Sequence, residues 1–356
     1  MGMRQSLLIF VVLLIAPAVA FAQREDQVFL TKGAPARGSI PAENGMTRDK
    51  ETGMAKVTID TNVGSRQIEV NEITRITFKD EPNDLNAGRT QVIQKNYNQA
   101  LADFKKLDGQ KIDRAYIRQD VEFYKALCLC KLALSEGGDK KAATDAMFAF
   151  VSKSPQSYHF YEAAETLGDI AMASGKYADA AKYYGASGLG AAPWGDYQMR
   201  ANNAAGRALI GEKQFEQALD KFKAVVSSEL ATPEAVRQKN LAQAGRAMCL
   251  AETGKVDDAL SLAQDMINKN DPQDSALFAR LYNALGRCYL KQNKPKDAVM
   301  AFLHTDILFY ADADAHAEAL YNLSKLWTDV NKSDRAIAAR NTLRERYAGS
   351  VWATRE

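Results

Sequence analysis

The sequence predicts a mainly α protein: an α-solenoid of helix-turn-helix repeats preceded by a small antiparallel β domain. Two observations support this. Alanine recurs every 37 to 43 residues, and near residue 80 the hydrophobic period changes from two residues to about 3.6. The recurring alanines are Ala100, Ala143, Ala180, Ala218, Ala259, Ala298 and Ala336. A recurrence of this length is typical of stacked supersecondary units rather than of one globular core.

The amino terminus has the pattern of a secretory signal. Arg4 precedes an apolar run over residues 7–19, and residues 20–22 (Ala-Phe-Ala) supply a small-x-small cleavage pattern before Gln23. We therefore expect residues 1–22 to be a signal peptide and the mature chain to be exported, to the periplasm or to the extracellular space. An uncleaved anchor helix is the alternative, although the apolar run is short for a membrane span. No later stretch is long and apolar enough to span a bilayer.

Residues 23–80 are predicted to form the β domain. Alternating runs rich in β-branched residues at 28–30, 57–59, 67–70 and 73–78 indicate four or five short strands. Residues 62–64 suit a hairpin loop between two of them. The pattern is loosely similar to SH3-like and Sm-like small barrels. A core of about 55 residues is marginal alone, so we expect this domain to dock on the helices that follow. The breaker-rich residues 81–84 form a linker.

Residues 85–356 are predicted to form about seven helical hairpins. In residues 162–193 a small residue lies in the first helix, an aromatic at the turn, and an alanine and a second aromatic in the second helix. In this repeat the four positions are Gly168, Tyr177, Ala180 and Tyr184. The equivalent positions are Gly206, Phe215, Ala218 and Phe222 in residues 200–233, and Gly286, Ala298 and Phe302 in residues 280–303. This arrangement resembles the tetratricopeptide repeat (TPR). The repeats exceed that family's usual length of about 34 residues, as in exported bacterial envelope proteins. The resemblance implies a solenoid whose first helices line a concave groove that binds proteins or peptides.

Composition limits the partners. The chain has 46 Lys and Arg against 44 Asp and Glu, which argues against nucleic acid as a general partner. The four cysteines lie among apolar residues on predicted first helices, so buried free thiols are favoured over disulfides. They are Cys128, Cys130, Cys249 and Cys288. Cys128 and Cys130 are two residues apart on a helix and should point to different faces.

One charged pattern goes beyond the fold. Arg200, Asn203 and Arg207 recur at the same offsets as Arg280, Asn283 and Arg287, and a third Gly-Arg pair adds Arg246. Offsets of three, four and seven residues place each trio on one helical face. The hypothesis is that guanidinium groups bind a partner's carboxylates while Asn binds its peptide backbone. The alternative is that these arginines pair with acidic residues of adjacent helices. The preceding unit carries Glu162, Glu165 and Asp169 at these offsets, so the groove is expected to run from acidic to basic.

Two further groups of residues have side chains that could form a site. Trp194 and Tyr197 form a weaker second candidate for partner binding, as loop aromatics that anchor a partner; packing on the next first helix is the alternative. Asp312, Asp314, His316 and Glu318 lack a metal-ligand spacing and are expected at a helix start, with Asp314 as its cap. No metal or other cofactor is predicted.

The sequence carries no catalytic motif, and its three histidines are dispersed. The predicted function is a non-catalytic exported adaptor or scaffold that binds protein or peptide on the concave face. The alternative is a cell-envelope structural or polysaccharide-associated protein that docks through the β domain.

Overall fold

The computed structural model describes residues 25–135 and 137–355, where it confirms the predicted fold class. The predicted signal peptide lies outside the described residues. The first part of the described chain is β structure, and the rest is a succession of helical hairpins followed by a short 3-10 turn. No helix in residues 25–135 or 137–355 has the length and apolar character needed to cross a membrane.

The β domain consists of two antiparallel three-stranded sheets. The strands are β1 (Asp26–Leu30), β2 (Ala36–Gly38), β3 (Met46–Arg48), β4 (Ala55–Thr61), β5 (Gly64–Glu69) and β6 (Ile73–Thr77). The sheet orders are β2-β1-β6 and β3-β4-β5, and a bridge between Ser39 and Asp60 joins the sheets. Four strands coincide with the predicted runs. The count of four or five was too low, because β2 and β3 have only three residues each and show no alternation.

The β domain shares a hydrophobic core with the helices. Val28, Val57 and Ile68 point from the two sheets into a cluster that also contains Tyr116 and Tyr161 of the helical region. The Tyr116 hydroxyl accepts a hydrogen bond from the backbone N–H of residue 45 at 3.1 Å. The expected docking of the small domain on the solenoid is therefore confirmed.

Fourteen α-helices within the described residues form seven hairpins. Hairpin 1 is α1 (Asn83–Ile93) and α2 (Tyr97–Lys105), hairpin 2 is α3 (Ala115–Ser135) and α4 (Lys140–Lys153), hairpin 3 is α5 (Phe160–Ala173) and α6 (Tyr177–Tyr184), and hairpin 4 is α7 (Gly195–Gly211) and α8 (Phe215–Val226). Hairpin 5 is α9 (Pro233–Glu252) and α10 (Val256–Lys269), hairpin 6 is α11 (Ser275–Lys291) and α12 (Pro295–Ile307), and hairpin 7 is α13 (Ala313–Asp329) and α14 (Ser333–Arg346). Each helix packs on its predecessor and successor, as a solenoid requires.

The same turn joins the two helices of six hairpins. A residue with positive φ stands two positions before the second helix, at Lys95, Gly175, Lys213, Gly254, Asn293 and Asn331. The next residue then donates its N–H to the carbonyl five positions back, as from Lys176 to Ala171 at 2.9 Å. This is the Schellman arrangement that ends a helix in a left-handed residue. The repeated turn fixes the register in which the seven recurring alanines, here called the alanine ladder, contact the first helices. All seven of these alanines are buried.

The cysteines are free and buried, as predicted. Cys128 packs in the core shared with the β domain, whereas Cys130 packs between α3, α4 and α5. The two side chains therefore point to different faces of α3. Burial raises the pKa of both thiols to about 12.

Candidate functional site

The inner faces of hairpins 3 to 7 enclose a cavity of about 610 Å³. First helices supply most of its wall, as the resemblance implies for this repeat. Its apolar lining includes Met172, Ile210, Leu241, Met248 and Trp352. Its polar lining includes Asn203, Arg207, Glu252, Arg280, Arg287 and Glu318. Four of the predicted partner-binding residues thus share one cavity: Asn203, Arg207, Arg280 and Arg287.

Two of the three arginines among these four residues form ion pairs with neighbouring helices. Arg280 donates from Nε and Nη2 to Asp312 Oδ2 at 3.0 and 2.7 Å. Arg287 Nε lies 3.3 Å from Glu252 Oε1 and 3.9 Å from Glu318 Oε1. These arginines and carboxylates come from adjacent first helices, so they form a ladder of alternating charge along the cavity wall.

Arg207 is held more loosely. Its Nη1 lies 4.0 Å from Asp314 Oδ2, and its side chain is 30% exposed. Asp314 belongs to hairpin 7, three hairpins further along the chain, so the two residues face each other across the cavity. Burial lowers the pKa of Arg207, but the negative charges of Asp314, Asp169 and Asp312 act against burial, and the net shift of the pKa is upward. Arg207 therefore keeps its positive charge at the cavity wall.

Arg200 and the two asparagines serve contacts between helices. Arg200 forms an ion pair with Glu165 of α5 and lies over the Tyr197 ring at 5.1 Å. Asn203 donates to the carbonyl of Gln238 at 2.9 Å and to its side chain at 2.7 Å. Asn283 donates to the Ala315 carbonyl at 2.8 Å and is buried. The two asparagines therefore join α7 to α9 and α11 to α13.

Arg246 is not among the cavity-lining residues, and the repeat register explains why. The alanine ladder advances by 41 residues between Ala218 and Ala259, so Arg207 corresponds to Met248. The Gly-Arg pair at 245–246 lies two positions out of this register, so Gly245 lines the cavity and Arg246 lies on another face of α9. Met248 lines the cavity instead, and Arg246 Nη1 donates to Gln243 at 2.6 Å.

The sequence pattern missed several cavity residues that the same register identifies. Ala298 and Ala336 are 38 residues apart, so Glu318 is the position in hairpin 7 that is equivalent to Arg280 in hairpin 6. Glu318 lines the cavity, and burial raises its pKa against the pull of Arg287. Counting from the alanines, rather than searching for repeated Gly-Arg pairs, would have selected Leu241, Met248 and Glu318. Nothing in the register identifies Trp352 or Arg355, which lie beyond the last hairpin.

The acidic cluster at the start of α13 divides among separate contacts. Asp312, not Asp314, is the helix cap, and it accepts the backbone N–H of Ala315 at 3.1 Å. The expected cap was wrong because α13 begins two residues earlier than the sequence indicated. His316 bonds to Asp306 at 2.8 Å and to the Tyr347 hydroxyl at 2.6 Å. In residues 25–135 and 137–355 no three His, Cys, Asp or Glu side chains are grouped to hold a metal ion.

Trp194 lies between the β domain and the solenoid. Its side chain is 9% exposed, and the indole N–H donates to Glu69 Oε2 at 2.7 Å. Tyr161 and Tyr197 contact its ring edge-on, with centroids 5.7 and 5.2 Å away. Trp194 and Tyr197 thus belong to the docking interface of the β domain and not to the cavity.

A buried charge network, which the sequence did not indicate, lies beside this interface. Arg89 bonds to Glu81 at 2.8 and 2.9 Å and forms an ion pair with Asp120. His159 Nε2 lies 3.3 Å from Asp120, and its ring stacks on Phe123 with centroids 3.7 Å apart. The network joins hairpins 1, 2 and 3, and its residues are far apart in sequence.

Comparison with solved structures places the fold among TPR proteins. The chain is similar to a tetratricopeptide repeat protein from Parabacteroides merdae, with a TM-score of 0.54 at 13% identity over 74% of this chain and 91% of that one. It is also similar to a Rap protein complexed with Competence and Sporulation Factor, with a TM-score of 0.50 at 13% identity over 76% of each chain. No protein-family model and no curated protein sequence matches the chain. The protein therefore has a TPR-like fold.

Proposed function

We propose that this protein is a non-catalytic, exported adaptor that binds a segment of a partner protein in its inner cavity. The observation that supports this most is the convergence of Asn203, Arg207, Arg280 and Arg287 on one cavity of about 610 Å³. A cavity of this size, with apolar walls and a few polar groups, is typical of ligand sites. It accommodates a few side chains of an extended segment and is too small for a folded domain.

Arg207 is the residue that we propose contacts the partner's charge. Arg280 and Arg287 are neutralised by carboxylates at 2.7 and 3.3 Å, whereas the nearest carboxylate to Arg207 is at 4.0 Å. A partner carboxylate that approaches Arg207 gains a charge-assisted hydrogen bond without displacing a close ion pair. We therefore propose a partner segment that carries an acidic group at this point.

The TPR-like fold is consistent with this proposal. The similar Rap protein was solved as a complex with Competence and Sporulation Factor. At 13% identity that likeness extends to the fold alone, so the ligand of this protein follows from its own cavity. Export is proposed from the signal pattern in residues 1–22. Fractionation of the cells and sequencing of the mature amino terminus test it, and a cytoplasmic chain that begins at Met1 contradicts it.

The partner is identified by crosslinking a tagged chain in cells, purifying it and analysing the captured proteins by quantitative mass spectrometry. Arg207→Gln removes the charge at the cavity wall without introducing repulsion from Asp314. Its matched control is Arg237→Gln, an exposed arginine outside the cavity that pairs with Asp274. We expect Arg207→Gln to reduce the captured partner about tenfold, the effect of losing one charge-assisted contact of about 1.4 kcal/mol.

Equal capture by the two variants would contradict binding through Arg207. Retention of the purified chain by isolated cell-wall material, with no protein captured, would instead favour the polysaccharide-associated alternative. Its docking surface would have to be the exposed part of the β domain, since the opposite surface packs in the core shared with the helices.

A further inference from the structure

The segment after the last hairpin, residues 347–355, turns back into the solenoid. We call it the strap. At its start Tyr347 bonds to His316, and Ser350 donates its N–H to the Tyr347 carbonyl at 2.8 Å. Ser350 then caps a short 3-10 turn, Val351–Thr354, by accepting the N–H of Trp352 at 3.2 Å. The strap is thus an ordered turn that reverses the chain direction after α14.

The strap reaches hairpins 2 and 3, which are almost 200 residues earlier in the sequence. A Cβ atom at Gly349 would lie 2.6 Å from the carbonyl oxygen of Leu134, so only glycine fits against the end of α3. A Cβ at Gly175 would lie 3.5 Å from Val351 Cγ2. Arg355 donates to the Tyr177 hydroxyl at 2.6 Å. The strap therefore connects the last hairpin to the third and closes the solenoid around the cavity.

The strap also contributes side chains to the cavity itself. Val351, Trp352 and Arg355 line it together with the first helices. The Trp352 indole N–H donates to Asp314 Oδ1 at 3.2 Å, and Arg355 lies over the indole ring at 4.1 Å. The positive charge of Arg355 acts against the rise in the pKa of Glu318, so that carboxylate and this guanidinium interact. The aromatic side chain is thus held by a carboxylate of α13, and the basic side chain by the Tyr177 hydroxyl and the Trp352 ring.

The side chains of the strap are only partly buried, although Tyr347, Trp352 and Ala353 pack against the core of hairpins 6 and 7. No residue of the 3-10 turn is fully buried, and Thr354 is exposed. Within the described residues, the segment is joined to hairpin 2 by the backbone contact at Gly349 and to hairpin 3 by the side chains of Val351 and Arg355, without a ladder of backbone hydrogen bonds. Segments with sparse, half-exposed contacts open at a free energy well below that of global unfolding. The strap can therefore leave the cavity while the hairpins remain folded.

We propose that the strap is an internal ligand of the cavity, and that a partner binds by displacing it with a segment that carries an aromatic side chain next to a basic one. This inference rests on the proposed function only for the external partner. The placement of Val351, Trp352 and Arg355 in the cavity wall stands by itself and is tested without that partner. The aromatic group takes the place of Trp352 beside Asp314, and the basic group takes that of Arg355 beside the Tyr177 hydroxyl.

The test uses the full chain and a fluorescein-labelled peptide with the sequence of residues 347–355 as the probe. The release variant is Trp352→Ala with Arg355→Ala, which removes both cavity contacts of the strap. We expect the release variant to bind the peptide at least tenfold more tightly than the wild-type chain, in which Trp352 and Arg355 already hold these two positions. A peptide with the same two alanines is the matched control and should not bind. Fluorescence anisotropy measures all four combinations.

A disulfide supplies the converse variant. Gly175→Cys with Val351→Cys joins the strap to hairpin 3 at the 3.5 Å contact. The native thiols are buried and do not compete for oxidation. The oxidised chain should bind the peptide no better than the wild type even when it also carries the two alanine substitutions. Equal peptide binding by wild-type, release and oxidised chains would overturn the proposal.

Hydrogen exchange of the wild-type chain keeps the proposal testable if the release variant does not fold. The amides of residues 350–353 should exchange through a local opening that is independent of denaturant, while those of α13 exchange only with larger unfolding. Exchange of both sets at one global rate would overturn it. Peptide binding together with unchanged partner capture by Arg207→Gln would support the strap and reject the proposed role of Arg207. No peptide binding, together with reduced partner capture by Arg207→Gln, would reject the proposal for the strap and leave the role of Arg207 intact.

Discussion

Phe222 of α8 fills the space between two first helices, and this contact yields a quantitative prediction. Its ring is 1% exposed. A Cβ added at Gly206 of α7 would lie 2.7 Å from the ring, and one added at Gly245 of α9 would lie 2.6 Å from Cε1. Gly245→Ala therefore forces the ring or a helix to move, at a cost of about 1–3 kcal/mol for overpacking. Replacing glycine inside a helix returns about 1 kcal/mol. We expect a net destabilisation of about 1 kcal/mol.

The Phe222→Leu background tests the cause. A leucine removes the ring atoms that the new methyl group meets, so in that background Gly245→Ala should stabilise the chain by up to about 1 kcal/mol. Urea unfolding followed by far-UV circular dichroism gives the four free energies, which are comparable if the slopes agree. The expected coupling between the two positions is about 2 kcal/mol. The same effect of Gly245→Ala in both backgrounds would refute the packing argument.

Three further predictions follow from single features. Lys95 has a φ of 62°; Lys95→Gly should raise the free energy of unfolding by about 0.5–1 kcal/mol, whereas Lys95→Ala, which keeps the strain, should not. Burial raises the pKa of Asp120, but Arg89 and His159 outweigh burial and hold it below 3.8. The stability that Asp120 contributes is therefore present above pH 3.8 and lost as the pH falls through the lowered pKa. Asp120→Asn should lower the free energy of unfolding in urea by about 3 kcal/mol at neutral pH. It should also weaken the loss of stability at acid pH, and an unchanged acid dependence of stability contradicts this. The four native thiols should react slowly with a thiol-labelling disulfide reagent in the folded chain and rapidly in urea, because burial raises their pKa to about 11 to 12. Rapid labelling of the folded chain would contradict this prediction.

The periodic part of the structure could be predicted from the sequence because each repeat solves the same local packing problem. An alanine must fit where two helices cross, and a left-handed residue must end each first helix, so both recur with the repeat. The four longer strands were predictable from alternation. The strands β2 and β3 were not, since three residues are too few to show a period.

The candidate site was predicted in part. The register placed Arg207, Arg280 and Arg287 on one wall, but repeated Gly-Arg pairs were a poor guide at α9, where two additional residues rotate Arg246 away from the wall. The strap could not be predicted, because Arg355 meets Tyr177 only after five hairpins have curved the chain back on itself. The same holds for the network of Arg89, Asp120 and His159, which depends on three hairpins meeting.

The central claim is that partners bind inside the solenoid, and photo-crosslinking from the cavity wall tests it most directly. A photoreactive amino acid at Met248 faces the cavity, whereas the same residue at Ile337 of α14 lies outside the cavity at a side chain that is 55% exposed. Irradiation in cells followed by mass spectrometry should give a specific partner adduct from position 248 and none from position 337. An adduct from position 337 with none from position 248 would contradict the claim.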